Sequence, residues 1–135
     1  MDNFLHVTAV EIRRYLAKNL PALDAEWWRK HVIDRLSFQQ QRIAQEKGLT
    51  KLEDLDLAAL LRIFDQNWFE LSGREGSLPR EARNWVKELQ TIRNKWAHRS
   101  GQIMPATDIF RDLDTTGRLL SAIGGSPESL AEIEQ

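Results

Sequence analysis

Apolar residues recur at spacings of three and four along nearly the whole chain, and strand-like alternation over several residues is hard to find. The fullest case is Leu57, Leu60, Leu61, Phe64, Trp68 and Leu71, which fall on one side of a helix. A chain patterned this way must bury helix faces against one another, and the expected fold class is all-α, a helical bundle. Its 135 residues amount to one domain, able to bury roughly two thirds of the unfolded surface without a disulfide or a metal.

Turn and cap chemistry divides the pattern into about five main helices and a short C-terminal one. The first runs from about Phe4 to Asn19, with Leu5, Ala9, Ile12 and Leu16 on one face and Pro21 closing it. Asp24 is an N-cap candidate for the second, whose inner stripe is Trp28, Val32 and Leu36, continuing through Gln39 and Ile43 to Gly48. That stretch reads as one long helix or as two. Asp54 or Asp56 caps the third, which ends at the loop from Ser72 to Ser77. Pro79 suits the first turn of the fourth, where Ala82, Trp85, Leu89, Ile92 and Trp96 face the core. The fifth starts near Thr107 or Asp108, carries Ile109, Leu113, Thr116, Leu120 and Ile123, and stops at Gly124-Gly125. Ser126-Pro127-Glu128 opens the short helix with a cap, a proline and an acid. The expected division is a helical domain over residues 1–125 and an acidic extension, or the start of a linker, over 126–135.

Charge and composition narrow the function. A net charge of −1 argues against coating nucleic acid by bulk electrostatics. Locally the balance differs, because Arg74 to Arg99 hold seven Lys or Arg against three acids, an excess of four. The absence of cysteine excludes a disulfide framework, a thiolate zinc site and a cysteine nucleophile, and is compatible with a reducing cytoplasm. The first twenty residues carry Asp2, Glu11, Arg13, Arg14 and Lys18 with no uninterrupted apolar block, and resemble neither a secretory signal nor an anchor. The longest apolar run, Leu57 to Leu61, has five residues against roughly twenty for a membrane span. A cytoplasmic protein without membrane contact is the expectation. His6 and His31 sit in separate helices with no ligand spacing, so no metal site is expected, nor any cofactor. Asp65 and Glu70, five apart on a helix, do not form a carboxylate pair for acid–base work. Trp28, Trp68, Trp85 and Trp96 fit apolar stripes and are expected to pack in the core, while Trp27 lies at a different angle.

The segment Arg93-Asn94-Lys95-Trp96-Ala97-His98 concentrates reactive side chains in a protein with three histidines. At about 100° per residue, Asn94 and His98 project to nearly the same side, and Trp96 points the other way, into the core stripe. One face anchors the segment while the opposite one presents an amide and an imidazole. Arg93 is about 140° around from His98 on an ideal helix. To join them, the helix must end or distort before His98, or the arginine must reach around, or a second copy of the chain must complete the site. Histidine moves protons near neutral pH, a guanidinium pairs with phosphate oxygens, and an amide orients either. Such groups can assist a 2′-hydroxyl in attacking its neighbouring phosphate. An Arg and a His near a helix C-terminus also serve simply to bond its last carbonyls and offset its dipole.

The Arg-polar-x3-His arrangement on a late helix of a small helical domain resembles the signature of the HEPN superfamily, in the subtype named for the Swt endoribonuclease. Ile92 to His98, Leu60 to Trp68 and Asp112 to Leu120 carry the resemblance, which covers about residues 5–125. It implies a metal-independent endoribonuclease acting as a homodimer, with both motifs facing a shared cleft. Arg93 would contact the scissile phosphate, His98 would act as acid or base, Asn94 would orient them, and Lys95 and Arg99 would add RNA contacts. Toxin–antitoxin or phage-defence roles, with an antitoxin as partner, belong to the same implication. The alternative is an inactive dimerisation or interaction module at the N-terminus of a larger ATPase or helicase. A third reading is nucleotide binding without cleavage.

Overall fold

The computed structural model describes residues 4–73, 78–98 and 103–134, and within them every regular element is helical. Seven α-helices form the bundle: α1 (Phe4–Asn19), α2 (Phe38–Lys47), α3 (Leu57–Gln66), α4 (Trp68–Ser72), α5 (Ala82–Ala97), α6 (Ala106–Ala122) and α7 (Pro127–Glu134). The all-α expectation holds. No described helix is long and apolar enough to cross a membrane.

The centre is α3, whose Leu57, Ala59, Leu60, Leu61, Ile63, Phe64 and Asp65 are all buried. A helix apolar on so much of its circumference must be surrounded, and it packs between α1 and α5, with α6 against both of those. Burying a side chain such as Phe64 or Leu60 contributes about 1.5–3 kcal/mol, so α3 is a dense contributor to the driving force. Asp56 starts α3 by accepting a 2.9 Å bond from Ala59 N–H.

Between α1 and α3 the chain departs from the continuous stripe. Trp28–Val32 form a π-helical turn and Ile33–Arg35 a 3-10 turn. Leu36 and Ser37 are then extended, with ψ 158° and 163°. The two extended residues reset the helical phase. Ser37 and Gln40 build a reciprocal capping box, and α2 turns Ala44 inward rather than the expected Ile43, which is exposed. Gly48 ends α2 at φ 63°, a conformation that glycine adopts without a Cβ clash.

The third helix is likewise two. Asn67 is fully buried at the break, its amide donating to Ile63 O and His31 O at 2.8 Å while its oxygen accepts from His31 Nδ1 at 2.8 Å. His31 thus ties the irregular turn to the α3–α4 junction. Arg35 reinforces this seam through Gln66 O and Glu70.

In α5 the buried stripe is Ala82, Val86, Leu89, Ile92 and Trp96, so Val86 takes the place expected for Trp85, which is half-buried. Pro79 stands before the helix, its carbonyl accepting from Ala82 N–H at 2.9 Å. The inner face of α6 is rotated from Ile109 and Leu113 toward Asp112, Thr115, Thr116, Leu119 and Leu120. Hydrophobic periodicity cannot see that face, because it is partly polar and satisfied by partners: Thr115 donates to Glu88 and Thr116 to Asp112 O. Trp68 and Trp96 are buried, and Trp27, Trp28 and Trp85 pack half-buried against the core.

The segment after residue 125 forms α7, which packs on α1 and α6. Ile133 is buried there, and the buried Glu11 of α1 accepts from Ser126 and from Ser129 Oγ, the latter at 2.7 Å.

Candidate functional site

The residues expected to carry chemistry lie on the last turns of α5, and two neighbouring helices hold that end in place. Phe4 of α1 lies against the Trp96 indole with ring centroids 4.6 Å apart. From α6, Asp112 accepts a 2.8 Å bond from Trp96 Nε1. The inward anchor that the wheel assigns to Trp96 is therefore both apolar and hydrogen-bonded, which fixes the rotation of α5 about its axis.

With Trp96 inward, Asn94 and His98 are exposed. The helix is regular to Ala97, and His98 N–H still bonds Asn94 O at 3.1 Å, so no distortion before His98 swings its ring toward Arg93. Arg93 is half-buried. Its Nη1 donates to Asn94 Oδ1 at 3.2 Å, and its Nη2 stands 4.0 Å from Asp56. Arg93 and Asn94 border a cleft of about 200 Å³ between α5, α3 and the start of α2, together with Ser37, Gln40, Arg62 and Gln90. His98 is not among its lining residues. The fold brings Arg93 and Asn94 together and leaves His98 one turn beyond the mouth of the cleft.

The other expected contacts separate. Lys95 Nζ forms a 2.8 Å ion pair with Asp112, so its charge is partly engaged inside the protomer. Arg99 lies outside the described residues. The basic excess around the motif is largely answered from other helices, since Arg83 and Lys87 both reach the buried Asp65 of α3 at 3.3 Å. Long-range packing thus neutralises charges that adjoin in sequence.

Arg62 and Gln90 were not singled out by the sequence, although a signal existed for one of them. Gln90 is four residues before Asn94 and so shares its face. Arg62 reads as a solvated position on the polar side of α3, and only the packing of α3 against α5 puts it in the cleft. Among the described residues, no three His, Asp or Glu side chains gather as metal ligands. What the arrangement offers is two guanidiniums and three amides around a small cleft, with an imidazole one helical turn away.

Comparison with curated proteins and with solved structures gives no match. A family model, Swt1-like HEPN, matches residues 4–124, from the first turn of α1 to the end of α6. By that match the chain belongs to the Swt1-like HEPN family.

Proposed function

We propose that the protein is an endoribonuclease that works as a homodimer without a metal, in the cytoplasm, in a toxin or defence setting where an antitoxin restrains it. The observation that carries this reading is the meeting of Arg93 and Asn94 at a cleft while His98 follows on the outward face of the same helix.

In this mechanism Arg93 holds the scissile phosphate and stabilises the charge that grows on its oxygens. An imidazole takes the proton of the 2′-hydroxyl as its oxygen bonds to phosphorus. The P–O5′ bond breaks, and the departing 5′-oxygen takes a proton from a second imidazole. The products are a 2′,3′-cyclic phosphate and a 5′-hydroxyl. Two proton-transfer groups are required and each protomer supplies one His98, so a two-fold dimer provides both. The same symmetry resolves the divergence of Arg93 and His98 within one chain.

The test is cleavage of labelled RNA in the presence of a chelator by the protein and by His98→Ala, with sedimentation of both. Cleavage that disappears with the imidazole, from a protein that sediments as a dimer, supports the reading. Cleavage indifferent to His98, or a monomer with full activity, overturns it. A second reading, an inactive assembly module attached to an ATPase or helicase, rests on the exposed Phe38, Phe69 and Phe110. It expects a folded protein that cleaves no RNA.

A further inference from the structure

Arg62 lies on α3, outside the motif, yet it faces the same cleft as Arg93. Its Nε donates to Arg35 O at 2.8 Å, which pins the plane of the guanidinium. Among the described residues nothing accepts from its two terminal nitrogens. The nearest negative charge to Arg93 is Asp56 at 4.0 Å, an exposed carboxylate whose other oxygen is committed to capping α3. The capping box engages the acceptor oxygens of Ser37 and Gln40, Oγ and Oε1, and leaves their donors unused. The cleft therefore offers a ligand the Arg62 and Arg93 guanidiniums and the Gln90 and Asn94 amides, with the Gln40 amide nitrogen as a further donor.

We infer that Arg62 and Gln90 form, with Arg93 and Asn94, a cradle for one backbone phosphate of single-stranded RNA, recognised without regard to base. Two guanidiniums with no acid between them suit a group carrying negative charge on several oxygens, and arginine is the side chain best matched to phosphate geometry. Size decides which part of the nucleotide enters. Pockets for drug-sized ligands run from about 300 to 1,000 Å³. At about 200 Å³ this cleft suits a phosphate with part of its sugar, not a whole nucleotide. Its described lining holds no aromatic ring on which a base would stack, the usual device for gripping an unpaired base. The cradle thus holds the strand by the phosphate assigned to Arg93, and the imidazoles that act on it are those the two-fold dimer brings together. The inference rests on the assignment of Arg93 to phosphate made above, and adds the residues that share the load.

Binding can be read apart from cleavage with a single-stranded RNA methylated at every 2′-oxygen, which cannot react. Its affinity is measured at several salt concentrations for the unaltered protein, Arg62→Gln and Gln90→Glu. Loss of one phosphate contact lowers the slope of log affinity against log salt by about 0.7 for a single strand. Arg62→Gln is expected to show that drop and to bind roughly tenfold more weakly. Gln90→Glu places a carboxylate beside both arginines, leaves the Arg62–Arg35 bond intact and is expected to weaken binding at least as much. Thermal unfolding checks each variant, and Gln90→Glu decides the matter where Arg62→Gln does not fold. Unchanged affinity and salt slope in the folded variants overturn the cradle. Competition with inorganic phosphate and with adenosine monophosphate separates the sources of phosphate. Weak displacement by both, far below an equal concentration of RNA phosphate, supports the polymer; a mononucleotide that binds as tightly as RNA through Arg62 overturns it. Arg62-dependent binding with no cleavage of ordinary RNA leaves the cradle standing and removes the nuclease. Cleavage with Arg62-independent binding does the reverse.

Discussion

Trp96 Nε1 and Lys95 Nζ both reach a single oxygen, Oδ2 of the buried Asp112, each at 2.8 Å. One carboxylate on α6 thereby fixes two consecutive residues of the motif on α5, and with them the direction in which Asn94 and His98 project. Asp112→Ala strands the buried indole N–H and is expected to cost about 1–3 kcal/mol in urea unfolding. Asp112→Asn retains an acceptor for Trp96 and loses only a partly exposed ion pair, a cost expected below about 1 kcal/mol. Equal losses in the two variants would show that the charge, and not the indole bond, is what matters.

Arg93 is expected to be the most rate-sensitive residue of the cleft. Arg93→Lys keeps the charge but loses the planar fork that grips two phosphate oxygens. Removing a donor of this kind lowers turnover by about 10²–10³-fold in other hydrolytic sites. The check is the single-turnover cleavage rate at saturating RNA, and a rate within a few-fold of the unaltered protein would separate the guanidinium from the chemistry.

Asn67 makes three hydrogen bonds at the α3–α4 break, two to His31 of the irregular turn before α2 and one to Ile63 O of α3. Asn67→Ala deletes them all in a fully buried position and is expected to destabilise the fold by about 2–3 kcal/mol. His31→Ala removes only the bond at the half-buried imidazole, and a smaller loss is expected. Chemical denaturation of both variants gives the comparison directly.

The Arg35–Glu70 pair predicts a pH dependence. Burial, the largest single influence, raises the Glu70 pKa, but the Arg35 hydrogen bond, the residue's own backbone N–H and the Arg35 and His31 charges together bring it below the ordinary value of 4.5. The folded protein therefore binds this proton less readily than the unfolded chain. The stabilisation is fully present above about pH 4.5 and fades as pH falls through the lower folded value. Glu70→Gln removes it. The two proteins should differ by less than about 1 kcal/mol at neutral pH, because the pair is partly exposed, and should converge on acidification below that point. Urea titrations across this range provide the measurement.

Where cap and stripe agree, the elements follow from local sequence. The α1 stop at Asn19, an aspartate cap at position 54 or 56 and the Gly48 stop were all legible, because each depends on backbone groups within a turn of the residue concerned. The break at Leu36-Ser37 was not, since an unbroken phase through Val32, Leu36 and Ile43 satisfies the same periodicity. The inner face of α6 was legible at Thr116 and Leu120 but not at Asp112 and Thr115, which are buried against Trp96, Lys95 and Glu88 from another helix. The outward Asn94–His98 face was legible for the opposite reason, because Trp96 could point nowhere but inward.

The sequence by itself determined that the chain is a helical bundle and that one turn of α5 presents an amide and an imidazole away from the core. Those follow from a rotation of about 100° per residue and from the cost of leaving Trp96 in water. Only the tertiary structure decided that Arg62 of α3 borders the same cleft as Arg93 and that Lys95 is engaged by Asp112. Those relations depend on which helices pack together and at what rotation, and that is settled by the joint packing of side chains far apart in the chain.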